Sequence, residues 1–98
     1  MKRITERELE SVVDRLNRTM GTPATPYVQV DGKFVAQIGN YNLSWAYGGV
    51  NLEQIVNEGG GVRNVFGCGH VTKRDLYDRM QAYLSGIADA CRVPQNQP

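Results

Sequence analysis

Asp31-Gly32 stands between Tyr27-Val28-Gln29-Val30 and Lys33-Phe34-Val35-Ala36-Gln37-Ile38, and this arrangement constrains the chain more than any other feature in it. A two-residue loop closing an antiparallel pair favours a type I′ turn, which needs positive φ at both central positions. Asp followed by Gly meets that need with little strain. A β-hairpin is therefore predicted here. The chain that follows reads as more short strands separated by glycine turns. Tyr41, Leu43, Trp45 and Tyr47 alternate with Asn42, Ser44 and Ala46, so a strand over this stretch carries Trp45 and Tyr47 on one face. Gly48-Gly49 is expected to turn the chain. Residues 50–57 contain β-branched Val50, Ile55 and Val56, although 52–56 also fits a helical turn. Gly59-Gly60-Gly61 ends that segment, and 62–66 forms a last short strand closed by Gly67-Cys68-Gly69.

The flanks have a different period. Thr5 precedes Glu8 by three positions, the capping-box spacing in which hydroxyl and carboxylate satisfy reciprocal backbone donors. Leu9, Val12, Val13, Leu16 and Met20 follow at helical intervals, and Gly21 with Pro23 stops the pattern. An amphipathic helix is predicted over 5–20. The device recurs where Thr72 stands three before Asp75 and Leu76, Met80, Tyr83, Leu84, Ile87 and Cys91 repeat at spacings of three and four. A second helix is predicted over 73–91. Beyond it, 93–98 holds two prolines and little to bury, so a frayed tail is expected.

The sum is an α+β fold: a two-layer domain of N-terminal helix, antiparallel meander of four or five short strands, and C-terminal helix. A chain of 98 residues fits one domain, taken as 1–92 plus the tail, since domains usually need about 50 to 200 residues. Two helices suffice to cover one sheet face, which leaves the other to water, a second subunit or a target.

Composition limits the function classes. Eleven Lys and Arg against ten Asp and Glu give a formal net charge of +1, so no global excess points to nucleic acid or an anionic membrane. Any electrostatic attraction must be local. No stretch approaches the roughly 20 apolar residues of a membrane helix. Met1-Lys2-Arg3 runs into Glu6, Glu8 and Glu10 where a secretory signal needs an apolar core, so a cytoplasmic location is expected. Two cysteines, Cys68 and Cys91, do not make a disulfide framework.

Catalytic and metal chemistry find little support. Cys68-Gly69-His70 places a thiol and an imidazole two positions apart, which is neither paired zinc-ligand spacing nor a demonstrated nucleophile and base. Seven glycines in 48–69 fit neither phosphate-loop pattern and are accounted for by turns. Asp31, Glu53 and Glu58 have no partner identifiable from spacing. No metal, cofactor or enzymatic activity is expected.

Charge and aromatic placement carry more. From 59 to 74 the chain holds Arg63, His70, Lys73 and Arg74 and no acid. Lys73 and Arg74 fall in the first turn of the second helix, where the macrodipole disfavours cations unless an anion sits there. Trp45 and Tyr47 would supply stacking platforms or anchors if they lie on an open face, and Asn64 is among the asparagines that would add polar contacts.

Ala46-Tyr47-Gly48-Gly49, Asn57-Glu58-Gly59-Gly60 and Thr72-Lys73-Arg74-Asp75-Leu76-Tyr77 resemble small accessory proteins of tailed bacteriophages and prophages, over about residues 8–90. A share of such proteins inhibit host defence, including anti-CRISPR proteins and nucleotide-sequestering sponges. The resemblance implies a stoichiometric binding protein directed at a host protein or ribonucleoprotein complex. A homo-oligomeric sponge for a small signalling nucleotide, or a structural or regulatory phage protein without an anion site, stand as alternatives. The residues set aside for binding are Trp45, Tyr47, Arg63, Asn64, His70, Lys73 and Arg74.

Overall fold

The computed structural model describes residues 3–92, so the expected tail at 93–98 lies outside the described residues. Its order is α1 (Glu6–Met20), β1 (Tyr27–Val30), β2 (Lys33–Ala36), β3 (Tyr41–Ala46), β4 (Gly49–Ile55), β5 (Val62–Asn64) and α2 (Lys73–Arg92). This is the α+β class the sequence predicts, with every strand pair antiparallel. The five strands divide into two sheets, a β1–β2 hairpin and a three-stranded β3–β4–β5 sheet.

Local chemistry sets the element ends. The Thr5 hydroxyl accepts from the Glu8 amide at 3.2 Å while the Glu8 carboxylate accepts from the Thr5 amide at 3.2 Å, so the capping box is formed. Gly21 closes α1 in the left-handed conformation at φ 71. Thr72 starts α2 by accepting from the Asp75 amide at 3.1 Å, but the Asp75 carboxylate turns away to bind Arg79 at 2.9 Å. Asp31 and Gly32 take φ 49 and 78, the type I′ turn predicted for them.

Both helices pack on the three-stranded sheet, α1 against β3 and α2 against β4, and touch each other. Leu9, Val12, Val13 and Leu16 of α1 meet Leu76, Met80 and Leu84 of α2 above Tyr41, Val50 and Leu52. Leu9, Leu16, Val50, Leu52, Leu76 and Met80 are wholly removed from water, each burial contributing roughly 1.5–3 kcal/mol before entropy is subtracted.

Asn17 ties helix to sheet. Its Nδ2 donates to the Tyr41 carbonyl at 3.0 Å and its Oδ1 accepts from the Tyr41 amide at 2.9 Å. The side chain thus fills the place of a neighbouring strand at one residue of the β3 edge. Asn40, equally buried, donates from Nδ2 to the Pro23 carbonyl at 2.8 Å and holds the linker at the base of the hairpin.

The β3–β4 turn differs from the sequence reading. Its two loop residues are Tyr47 and Gly48, at φ 54 and 74, because Ala46 pairs with Gly49. Tyr47 therefore leaves the strand and does not share a face with Trp45. Gly49 is needed elsewhere: a Cβ on it would stand 2.9 Å from the Val71 carbonyl oxygen and 3.0 Å from the His70 carbonyl carbon. The segment after β5 lies directly over β4 at this point, and Val71 exchanges backbone hydrogen bonds of 2.8 and 2.9 Å with Val50. A side chain at position 49 would push the two apart, so the strained conformation falls on Tyr47 instead.

Candidate binding cleft at the start of helix 2

The Val50–Val71 pairing brings the start of α2 beside the β3–β4 turn. Between them is a cleft of about 500 Å³. Its apolar surface comes from Ile4, Trp45, Val50 and Val71, and its cations are Arg3, Lys73 and Arg74. Gly48 and Gly49 form the wall opposite α2 and add no side chain to it. Trp45 is 44% exposed and stands between this hollow and a second groove beside α1.

The electrostatics favour an anion. The first turn of a helix presents backbone N–H groups that the helix itself does not use, and the macrodipole adds partial positive charge. Asp75, the acid of that turn, is paired with Arg79. Arg74 also lies 3.9 Å from Asp78, with side chains 45% and 64% exposed, a surface pair that contributes little. The cleft joins an aromatic surface to a cationic rim, a combination suited to a ligand carrying both a flat ring and phosphate.

Of the residues singled out in the sequence, the cleft collects Trp45, Lys73 and Arg74. The others go elsewhere. Arg63 on β5 donates from Nε to Gln54 Oε1 at 2.8 Å, where its charge also faces the Tyr41 phenol. Burial and the Tyr83 hydroxyl 3.5 Å away push that phenol up to about 12, with Arg63 acting in the opposite direction. Asn64 accepts from Asn51 Nδ2 at 2.6 Å on the sheet face away from the helices. His70 lies on that same side, Nε2 3.1 Å from the Ser44 hydroxyl and its ring edge-on to Tyr47 at 5.6 Å.

That second face is consequently not bare. His70 covers part of it at Ser44, and Asn51 on this face is only 1% exposed. Cys68 in the 66–70 loop is a free thiol that donates to the Gly69 carbonyl at 3.5 Å. Among the described residues no three His, Cys, Asp or Glu side chains are grouped as a metal site, and no helix is long and apolar enough to cross a membrane.

Arg3 and Ile4 are contributors that sequence reasoning missed. Both precede the first helix, and no periodicity or motif marks a segment that folds against a turn more than 40 residues away. Comparison of the chain with protein-family models, with curated proteins and with solved structures finds no match.

Proposed function

We propose that the protein acts by stoichiometric binding, and that the cleft at the start of α2 takes a small phosphate-bearing nucleotide. The observation that carries this reading is the meeting of Trp45 with Arg3, Lys73 and Arg74 at a helix N-terminus. The indole stacks the base, and the cations with the first-turn amides hold phosphate. A volume of about 500 Å³ falls within the range usual for small-molecule sites. The resemblance to phage accessory proteins supports the setting: sequestration, in the host cytoplasm, of a nucleotide that a host defence system uses as a signal.

Trp45 is the only tryptophan, so its fluorescence reports on the cleft without labelling. Titration with ATP, a cyclic dinucleotide and inorganic phosphate is the test. Saturable quenching by a nucleotide is expected, weakened by salt and reduced at least about tenfold by Lys73→Glu with Arg74→Glu. A folded protein whose Trp45 emission responds to none of these probes overturns the reading.

One observation favours a second reading. Tyr47 is 96% exposed and sits at φ 54, a conformation that bulky residues adopt only under strain. An exposed aromatic projected from a rigid turn suits an anchor on a host protein complex, the mode expected of an anti-CRISPR-like inhibitor. That reading predicts that Tyr47→Ala abolishes inhibition of the complex while the fold and the Trp45 titration are unchanged.

A further inference from the structure

The β1–β2 hairpin is an arm that touches the β4–β5 turn where the Tyr27 hydroxyl approaches Gly60. Among the described residues it is hydrogen-bonded to no other strand, and Tyr27, Val30, Phe34 and Val35 are all exposed, Phe34 by 75%. Two-stranded hairpins are marginal in water, and apolar side chains on both of their faces invite cover.

The same chain carries a complementary surface. Tyr41 directs its backbone away from β4 toward Asn17, so by the alternation of a strand Leu43 and Trp45 do the same. Beyond Asn17 nothing continues the sheet, and among the described residues the N–H and C=O groups of Leu43 and Trp45 have no partner. This open edge borders a groove of about 330 Å³ walled by Glu10 and Asp14 of α1, by Pro26, and by Leu43 and Trp45 themselves.

We propose that the occupant of this groove is the hairpin of a second copy, β2 adding to the β3 edge in a reciprocal, two-fold arm exchange. Three observations select that occupant. One charge can be matched, since the groove offers two carboxylates and Lys33 is the only charged residue of β2, with Asp31 set apart in the turn. Direct β3-to-β3 pairing would instead bring the Glu10 and Asp14 pairs of both copies together. Reciprocity matters as well: one exchange satisfies the arm and the edge on both copies, whereas a foreign strand satisfies only the edge. The area also suffices, because the exposed apolar parts of the arm and Trp45 amount to roughly 500 Å² per copy, and two such contacts with their backbone clear the ~1,000 Å² of a stable interface.

Trp45 borders both this groove and the α2 cleft, so the test is made without added ligand and on Lys33, Phe34 and Asp14, which lie outside the cleft. The proposal is tested by sedimentation equilibrium on the full chain between about 1 and 200 μM. A dimer is expected, with Phe34→Glu raising its dissociation constant at least about 100-fold while the helical circular dichroism is kept. A monomer throughout the range overturns the proposal, as does a dimer indifferent to Phe34→Glu. Lys33→Glu and Asp14→Lys are each expected to weaken self-association, and an equimolar mixture of the two to recover a heterodimer. In that pair one contact has its charges swapped and the other is native. Failure of the mixture to associate better than either variant alone rules out the arm-to-groove pairing.

Discussion

Replacing Asn17 by Ala tests whether a single helical amide holds the sheet edge. The side chain is 2% exposed and answers both backbone groups of Tyr41, itself 2% exposed, at 3.0 and 2.9 Å. Removing it strands one N–H and one C=O where water has poor access, at about 1–3 kcal/mol each. The Thr22 hydroxyl also loses its 2.7 Å bond to Oδ1, but it is part-exposed and retains a 3.4 Å contact to the Asn17 carbonyl, so its share is small. A water entering the vacated space would recover part of the loss. The expected destabilisation is about 3 kcal/mol. Gln81→Ala is the control, because that helical side chain accepts from the Arg15 guanidinium at 2.7 Å at the exposed surface, where water can replace it, and its removal should cost less than about 1 kcal/mol. Urea unfolding followed by helical circular dichroism, at one fixed protein concentration, measures both. An Asn17→Ala variant within 1 kcal/mol of wild type, at unchanged m-value, would refute the argument that this amide substitutes for a strand.

Gly49→Ala should destabilise by at least about 2 kcal/mol, because the new methyl meets backbone and not a movable side chain. Hydrogen exchange should locate the damage at the amides of Val50 and Val71, and undiminished protection there would contradict the close approach. Tyr41 predicts an alkaline limit. Its phenol is held up to about 12 in the folded chain and titrates near 10 when unfolded, so the neutral form is favoured by folding. Its contribution is complete below pH 10 and is lost as pH rises toward 12, amounting to about 2–3 kcal/mol. Wild type should lose that much more stability than Tyr41→Phe between pH 9 and 12, and parallel pH profiles for the two would show that Tyr41 is not responsible.

Helices were legible because their signals are local. The stripe from Leu9 to Leu16, the Thr5–Glu8 box and Gly21 all act within one element, and the structure uses each as the spacing implies. Asp31-Gly32 was legible for the same reason. The neighbouring turn was not. From sequence Gly48-Gly49 is the better type I′ pair, yet Gly49 is required by the backbone of residues 70–71, which reaches it from 21 and 22 positions away. Asn17 was equally hidden, because a polar residue beside an apolar stripe looks like solvent-facing helix until β3 arrives to be capped.

The candidate site divides along the same line. Lys73 and Arg74 could be placed at a helix start from sequence, and Trp45 on a strand, but their meeting depends on the Val50–Val71 bridge. Arg63 belonged to the same basic stretch, yet antiparallel pairing of β5 sends it to Gln54 and toward Tyr41. His70 stood two residues before the α2 cap and nonetheless crosses to the opposite face, because Gly69 at φ 72 redirects the chain ahead of it. Nearness in sequence does not survive a left-handed turn.

The bridge between Val50 and Val71 has a thermodynamic consequence for recognition. It fastens α2 to β4 one residue before the Thr72 cap, so the two walls of the cleft belong to a single rigid framework and not to a strand and a helix free to drift. Ordering of those walls is completed when the chain folds. A ligand entering between them would lose its own freedom and order the side chains it touches but would not have to immobilise the backbone as well, so less of the contact energy made there would be offset by ordering the protein.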